Sequence, residues 1–395
     1  MKIIYALLLC AFVSVVGQAF SQSDRSELLS DVRAFEVSAC KPSKNSLVTV
    51  WMEKRLSRKD NSKEAADMQV AYRASDNNGR TWSAKGIIDL PNTFATGNPF
   101  VRNNQKGDTY VVCMHIGQDF FSGNISLYEF DFNTKVFNLK SVPIKSSDNL
   151  LDKPSIVCYG DEIHLVYVAY TKNFKNAVKY QVSKDKGATW TEPVNVFTDQ
   201  TINYLGPAMS LVKGNQLLIS AGSYGSKGIF LTRRIADDEK VRFETAKVVG
   251  SISKRLGSAM TELTTRGNDL LLSWQNPHQR NEVWLSMSRN AGESWSSPHL
   301  ITSTGNLLSN AFGNDGGIHC IYSDFSDQKF SVNYRALNDN YSVAKEMYLA
   351  KPVVSNTFKE YLGAYQKLLV QNKELFAFWI DYPNNSALKF TKWKL

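Results

Sequence analysis

The 395-residue sequence lacks most of the features by which membrane proteins, metalloproteins and nucleotide-binding proteins are recognised. Beyond its first residues no apolar run is long enough to span a bilayer, so no stable membrane insertion is expected. The patterns H-E-x-x-H and CxxC, Asp-rich calcium loops and Gly-rich phosphate loops are all absent, and we therefore expect no metal and no other cofactor. Helical periodicity is nearly absent too, whereas aromatic residues make up 12% of the chain, which favours a β-rich core.

Basic residues are in excess, but they are scattered along the chain. Lys and Arg number 46 against 37 Asp and Glu, which gives a formal net charge of +9. Because no basic run concentrates this charge, nucleic acid is not an expected partner. An acidic oligo- or polysaccharide is compatible with such a surface.

The N-terminal segment has the composition of an export signal. Lys2 precedes an apolar run over residues 3–16, and the small residue Ser21 follows. This pattern predicts a signal peptide over residues 1–21 and a secreted or periplasmic mature chain over residues 22–395.

One short pattern recurs seven times: an apolar strand, a polar turn, and a second apolar strand. The copies begin about every fifty residues, a period typical of propellers and solenoids; they start at Ala34, Asn98, Lys153, Gly206, Gly257, Leu307 and Leu362. Two further strands follow each copy. Four antiparallel strands per unit predict a single all-β domain over residues 22–395, a β-propeller with seven blades or, as the alternative, six. Such a closed unit is expected to be a monomer.

Four cysteines lie in the predicted inner strands among apolar neighbours, namely Cys40, Cys113, Cys158 and Cys320. None belongs to a CxxC pair. We expect buried free thiols, although export would permit disulfides.

Three turns between predicted third and fourth strands share a special sequence, namely SDNNGRTW from Ser75, SKDKGATW from Ser183 and SRNAGESW from Ser288. The glycine permits a positive φ, the Ser and Asp or Asn side chains bond back to amides of the turn, and the Trp ring packs against the blade. On these motifs the chain resembles the sialidase-like propellers with Asp-box (BNR) repeats. The boxes are features of the fold and do not by themselves predict sialidase activity.

The first and fifth units extend the resemblance towards the sialidase active site. The first unit has the order of the family's opening blade: an Arg, a second Arg and then an acid. This resemblance implies that Arg33 and Arg55 bind the substrate and that Asp60 is the general acid. The fifth unit contains NPHQR, and its likeness to a family motif implies that Arg280 clamps a carboxylate.

The last unit, AYQKLLVQNKELFAFWID, resembles the segment that carries the catalytic Tyr of sialidases and ends in an acid. The resemblance implies that Tyr365 is the nucleophile and that Asp381 is that acid. The set is incomplete, however: GPA at 206–208 stands where the family has a Glu, and SAG at 220–222 stands where it has an Arg. A neutral phenol needs a nearby base, and no Glu is evident for Tyr365.

Strand alternation places the loops between second and third strands on the face opposite the Asp boxes. We expect substrate-binding residues there, and His115, His278 and Tyr170 are candidates. Three functions remain open: a sialidase-like glycoside hydrolase acting on an acidic glycan, a non-catalytic glycan-binding propeller, and a polysaccharide lyase that uses His and Tyr as base and acid.

Overall fold

The computed structural model consists of seven β-sheets arranged in a ring. It describes residues 26–55, 68–88, 90, 93–173, 175–199, 201–212, 215–223, 228–235, 240–250, 260–276, 282–354, 365–381 and 386–395. These residues form 29 β-strands and include no helix that could cross a membrane. The predicted all-β propeller with seven blades is confirmed.

Each sheet is one blade, built from antiparallel strands that follow one another in the chain. The strands of blades I and II are β2 (Ala34–Cys40), β3 (Leu47–Lys54), β4 (Met68–Ser75), β5 (Gly86–Ile88), β6 (Ala95–Asn103), β7 (Thr109–Ile116), β8 (Gly123–Asp131) and β9 (Val136–Ser146). Those of blades III and IV are β10 (Asn149–Tyr159), β11 (Glu162–Thr171), β12 (Asn176–Ser183), β13 (Val194–Asn195), β14 (Tyr204–Val212), β15 (Gln216–Ser223), β16 (Ile229–Ile235), β17 (Arg242–Phe243) and β18 (Lys247–Gly250).

Blades V and VI follow the same order, and blade VII uses strands from both ends of the described chain. The strands of blades V and VI are β19 (Thr261–Arg266), β20 (Asp269–Asn276), β21 (Glu282–Ser288), β22 (His299–Thr302), β23 (Gly305–Phe312), β24 (Ile318–Ser326), β25 (Lys329–Leu337) and β26 (Val343–Val354). Those of blade VII are β27 (Lys367–Gln371), β28 (Glu374–Asp381), β29 (Ala387–Lys394) and β1 (Glu27–Ser30). β1 pairs with β29, so residues from the start of the chain close the ring.

A buried carboxylate ties this closing strand to blade I. Glu53 accepts hydrogen bonds from Ser30 Oγ of β1 at 3.1 Å, from Trp51 Nε1 at 2.8 Å and from Gln69 Nε2 at 3.1 Å. It also forms an ion pair with Lys85 Nζ at 2.7 Å. Because all of these partners surround one fully buried group, Glu53 is a structural residue that joins three strands and a loop.

The innermost strands of blades I to IV and of blade VI contain a β-bulge near their start. Strand pairing is interrupted at residues 36–37, 98–99, 153–154, 206–207 and 307–308. The first bulge residue has a positive φ, between +47° and +52°, at Glu36, Asn98, Lys153 and Gly206. Residues other than Gly rarely adopt this conformation, and strained backbone often accompanies functional sites. The bulges therefore indicate that a functional site lies in the central channel, which is the space that these innermost strands surround.

Apolar side chains fill the spaces between neighbouring blades. One cluster around Trp51 and Trp379 packs blade I against blades VI and VII, and similar clusters lie between the other blades. The predicted cysteines lie in these strands, and all four are buried and free. Burial raises the pKa of Cys158 and of Cys320 to about 12, so both thiols stay protonated.

The three Asp boxes lie where predicted, between the third and fourth strands of blades I, III and V. In blade III, Ser183 Oγ accepts the amide of the box glycine at 2.8 Å. Asp185 accepts the amide and the hydroxyl of Thr189 at 2.9 and 2.6 Å. Asn77 and Asn290 accept amides of their own turns through Oδ1. Asn therefore replaces Asp without loss of the turn.

Candidate functional site

The innermost strands of all seven blades meet at one cavity in the centre of the ring. Its volume is about 170 Å³. Every blade contributes to the lining, with Glu36, Asn98, Lys153, Pro207, Met260, Leu308 and Tyr365 from blades I to VII respectively. Because it combines apolar walls with a few convergent polar groups, this cavity is the candidate functional site.

Four bulge residues, together with the residues that precede β19 and β27, form an upper layer of the channel, which we define as Glu36, Asn98, Lys153, Gly206, Met260 and Tyr365. A lower layer lies two residues further along each strand, and it includes Ser38, Glu262, Ser309 and Lys367. The lower layer joins neighbouring blades, because its side chains accept backbone amides of the next inner strand. These bonds are Val101 N to Ser38 Oγ (3.2 Å), Asn310 N to Glu262 Oε2 (2.8 Å) and Leu368 N to Ser309 Oγ (3.1 Å).

Lys153 is the centre of the polar contacts in the upper layer. Its Nζ donates to Glu36 Oε1 at 2.7 Å and to Asn98 Oδ1 at 2.5 Å. The same Nζ lies 5.3 Å from the centroid of the Tyr365 ring. Asn98 Nδ2 in turn donates to Asp152 Oδ1 at 2.8 Å. Blades I, II, III and VII are thereby linked at one point.

The electrostatics of this cluster keep a protonated phenol beside a carboxylate. Burial raises the pKa of Tyr365 to about 12, against an opposing effect of Lys153. Burial also raises the pKa of Glu36 above its usual value. Desolvation disfavours the charge of Lys153, but Glu36 and its other neighbours outweigh this and raise the pKa of Lys153 well above the ordinary range. Lys153 is therefore a permanent cation next to both Glu36 and Tyr365.

The predicted substrate-binding residue Tyr170 lies beside this cluster, in β11 rather than in a loop. Burial raises its pKa above the usual range, and the charge of Asp152 adds to the rise. Its interactions with Asp152, Lys153 and Tyr365 place the hydroxyl near the upper layer. Tyr170 is therefore within electrostatic range of Tyr365, but it does not itself line the cavity.

Blades IV to VI supply much of the apolar lining of the cavity, although blade V also contributes Glu262 and Gln275. Blades IV to VI contribute Pro207, Met209, Met260, Trp274 and Leu308 to the lining. A ligand in the channel would therefore meet both charged groups and carbon-rich surfaces, which suits the polar edges and apolar faces of a sugar ring.

Several buried polar atoms along the lining have no hydrogen-bond partner within the described part of the chain. They are Glu36 Oε2, Trp274 Nε1, Gln275 Oε1 and both amide atoms of Gln366. Glu36, Trp274 and Gln366 are less than 10% exposed. Because buried polar groups in proteins are almost always hydrogen-bonded, these atoms are expected to bind water or ligand in the channel.

Three other predicted site residues that the structure describes lie away from this cavity. Arg33 precedes β2 and lies over the Phe35 ring at 5.3 Å. Arg55 follows β3, and Asp381 ends β28. None of the three lines the cavity that contains Tyr365.

His115 is placed differently from the loop position expected for it. It lies within β7, is only 2% exposed, and is hydrogen-bonded to Thr96 Oγ1 at 2.9 Å and to Tyr128 OH at 3.1 Å. Burial lowers its pKa to about 4. The loop position predicted for His115 is wrong because both of its ring nitrogens find hydrogen-bond partners inside blade II. The remaining predicted residues, Asp60, Arg280 and His278, lie outside the described residues.

Glu36, Glu262 and Arg102 line the cavity but are absent from the residues predicted from the sequence. Blade IV brings no carboxylate to the upper layer, where it has Gly206, whereas blade I brings Glu36. Proline at the second bulge position of blades II to IV is the one sequence signal that could have located this layer, since it has no amide to give to the sheet.

Solved structures similar to this chain include two carbohydrate-active enzymes and one protein of unknown function. The NanB sialidase of Streptococcus pneumoniae is 13% identical, with a TM-score of 0.51 over 93% of this chain and 69% of that one. The GH93 α-L-arabinofuranosidase of Fusarium graminearum, solved with arabinobiose, is 11% identical, with a TM-score of 0.52 over 92% and 93% of the two chains. A protein of unknown function from Dyadobacter fermentans is 10% identical, with a TM-score of 0.54 over 94% and 99%. At such identities these similarities establish the fold alone.

Sequence comparison gives the family. No curated protein sequence matches the chain significantly. The profile of the family described as "BNR repeat-like domain" matches residues 143–347, which is more than half of the chain and includes two of the three Asp boxes. The sialidase-like character read from the boxes is confirmed, and the chain belongs to the BNR repeat-like family.

Proposed function

We propose that this protein is a sialidase-like glycoside hydrolase that acts on an acidic glycan in the central channel. The observation that carries the proposal is that Lys153 Nζ lies 2.7 Å from Glu36 Oε1 and 5.3 Å from the centroid of the Tyr365 ring, so that all three groups meet in the upper layer. The missing base for the phenol is thereby supplied from blade I.

The chemistry follows from the protonation states of these groups. Tyr365 is neutral at neutral pH because its pKa lies near 12, so its proton must leave as it attacks. Glu36 Oε2 has no partner among the described residues, and a raised pKa makes its carboxylate a better proton acceptor. The Lys153 ammonium stabilises the developing phenolate by its charge.

In the first step Tyr365 Oη bonds to the anomeric carbon, the glycosidic C–O bond breaks, and Glu36 takes the phenol proton. The leaving oxygen receives a proton from the general acid, for which Asp60 remains the predicted residue. In the second step water bonds to the anomeric carbon and gives its proton to that acid's carboxylate. The Tyr365 oxygen then leaves and recovers its proton from Glu36. A covalent glycosyl-tyrosine of this kind is the known sialidase variation on the carboxylate mechanism.

A non-catalytic glycan-binding protein is the second candidate. The unpartnered polar atoms of Glu36, Trp274 and Gln366 favour ligand binding whether or not a bond is broken. A lyase has less support, because His115, one of its two predicted histidines, is enclosed within blade II.

We also propose that the protein is exported and acts as a monomer. The closing strand β1 begins at Glu27, so cleavage after Ser21 would leave it complete. One chain forms the whole lining of the cavity. Mass spectrometry of the mature N-terminus and light scattering test the two statements.

The hydrolase is tested with chromogenic glycosides of sialic and uronic acids and with an activated fluorosugar that traps the intermediate. We expect turnover, a trapped sugar on the Tyr365 peptide, and a loss of about 10³-fold or more in Tyr365→Phe. Tyr204→Phe is the matched control, since this tyrosine also begins an inner strand but stacks on Phe197 at 4.3 Å in the apolar core. Full activity in Tyr365→Phe contradicts the assignment. Glycan binding without turnover would identify a binding propeller, and an unsaturated product absorbing in the ultraviolet would identify a lyase.

A further inference from the structure

Arg102 lies in the channel and has few partners. It belongs to β6 and lines the cavity. Its guanidinium lies over the Phe100 ring at 4.2 Å, and Nη1 donates to the carbonyl of Val101 at 3.0 Å. An arginine has five N–H donors, so most of this fork is unused by the described protein.

The charges along the cavity are not balanced. Three cations line it, Lys153, Lys367 and Arg102, against two anions, Glu36 and Glu262, which leaves one positive charge. Both carboxylates already have a lysine partner, at 2.7 Å for Glu36 and 2.6 Å for Glu262. No carboxylate of the described residues forms an ion pair with Arg102.

Arg102 is half-buried and has no carboxylate partner among the described residues, so its charge is only partly compensated by the protein. Burial lowers the pKa of Arg102, and the more distant charge of Glu262 compensates only in part. Arg266 shows the contrasting case. It lies over the Phe312 ring at 4.4 Å, as Arg102 lies over Phe100, but it is paired with Asp269 at 3.1 Å. The channel thus holds a stacked arginine whose usual anionic partner is absent from the described protein.

We propose that Arg102 is a specificity-determining residue that binds the carboxylate of an acidic sugar in the channel. The planar fork of arginine matches a carboxylate with two parallel hydrogen bonds. The unpartnered atoms of Gln366 and Trp274 remain for the hydroxyl groups of the same sugar. The inference rests on the proposed function only in that the ligand is a glycan; it requires no bond cleavage.

The test uses free monosaccharides, which have no glycosidic bond to hydrolyse. N-acetylneuraminic acid, glucuronic acid and galacturonic acid are each compared with their methyl esters by calorimetric or NMR titration of the full-length protein. We expect at least one free acid to bind about 10- to 100-fold more tightly than its ester, the range for hydrogen bonds to a charged group. The three pairs distinguish a sialic acid from a uronic acid as the source of the carboxylate.

Arg102→Gln should abolish this preference by weakening the acid and leaving the ester unchanged, whereas Arg266→Gln should preserve it. In Arg102→Lys the preference for the acid over its ester should lie between those of the other two variants, because lysine retains the positive charge but lacks the planar fork of hydrogen-bond donors. If none of the three acids is preferred to its ester, or if Arg102→Gln retains the preference, the assignment is wrong. Failure of the hydrolase assays with a preserved acid preference would contradict the catalytic proposal alone.

Discussion

Lys153 of blade III and Glu36 of blade I form an ion pair at 2.7 Å across the central channel, although 117 residues separate them in the chain. Both stand at bulges with a positive φ. The unusual backbone conformation at two distant positions therefore brings Glu36 and Lys153 into contact, and the ring of Tyr365 lies next to the same lysine. This contact carries the proposed chemistry and can be tested from both sides.

Glu36→Gln should lower kcat by about 10²- to 10⁴-fold, the usual contribution of a general base. The amide oxygen can still accept the hydrogen bond from Lys153, so the geometry is preserved while proton acceptance is lost. In the parent protein kcat/KM should fall as the pH drops through the raised pKa of Glu36, because the protonated acid cannot accept a proton. The measurement is a pH profile of both proteins. An unchanged acidic limb in Glu36→Gln would exclude Glu36 as the base.

Lys153→Met should destabilise the fold, because it leaves Glu36 buried without a cation. We expect a loss of about 3 kcal/mol in the free energy of unfolding, the lower end for breaking a buried pair. In this variant the folded-state pKa of Glu36 rises further, so the loss should grow as the pH rises above the unfolded value near 4.3. Urea unfolding at pH 4.5 and at pH 8 measures this difference.

The double variant Lys153→Met/Glu36→Gln is the control for that experiment. It carries no buried charge at this place, so it should recover most of the loss at pH 8. Equal destabilisation of the single and double variants would mean that packing of the lysine stem, and not the ion pair, is responsible.

The repeat pattern was sufficient to predict the blades, because each blade repeats the same local alternation of apolar strand and polar turn. The positions of the Asp boxes, and that of Tyr365 at the cavity, were predictable for a similar reason, since each belongs to a continuous motif. Glu36 was not predictable: a bulge turns its side chain towards the channel, and the bulge is visible only in the pairing of β2 with β3. The closure of blade VII by β1 depends on pairing across the whole chain, and no local signal marks it.

Arg102 and His115 show that the sequence alone does not reveal which polar strand residues face the channel. Each is a polar residue in an apolar strand, and the sequence does not tell which one faces the channel. Only the ring arrangement places Arg102 at the cavity and His115 between Thr96 and Tyr128.

Buried histidines should make the protein sensitive to acid. His164 Nδ1 is hydrogen-bonded to Tyr180 OH at 2.7 Å, and burial lowers the pKa of His164 to about 3. Below pH 6.5 the unfolded chain binds a proton that the folded chain does not, so stability falls with pH down to about pH 3. One such histidine contributes up to about 1.4 kcal/mol per pH unit. His164→Gln should reduce the slope of the unfolding free energy against pH between pH 6.5 and 4 by the amount that corresponds to about one bound proton. Parallel curves for the two proteins would contradict this account.

Glu53→Ala should be among the most destabilising single substitutions, although it removes no group that lines the channel. The carboxylate is fully buried. It accepts hydrogen bonds from Ser30, Trp51 and Gln69, and it forms an ion pair with Lys85. Its removal leaves these donors without an acceptor and releases the link between β1 and blade I. We expect a loss of about 3–5 kcal/mol, measured by urea unfolding.

Ser30→Ala is the graded control, because it removes one of the four partners of Glu53, together with the weaker bond from Val32 N to Ser30 Oγ, and should cost about 1 kcal/mol. If Glu53→Ala unfolded no more readily than Ser30→Ala, the carboxylate would not be the group that fastens the ring. The closing strand β1 is held both by its pairing with β29 and by the hydrogen bond from Ser30 to Glu53. Limited proteolysis near residue 30 should distinguish these two contributions. Faster cleavage in Glu53→Ala than in the parent protein shows that the closing strand has been loosened.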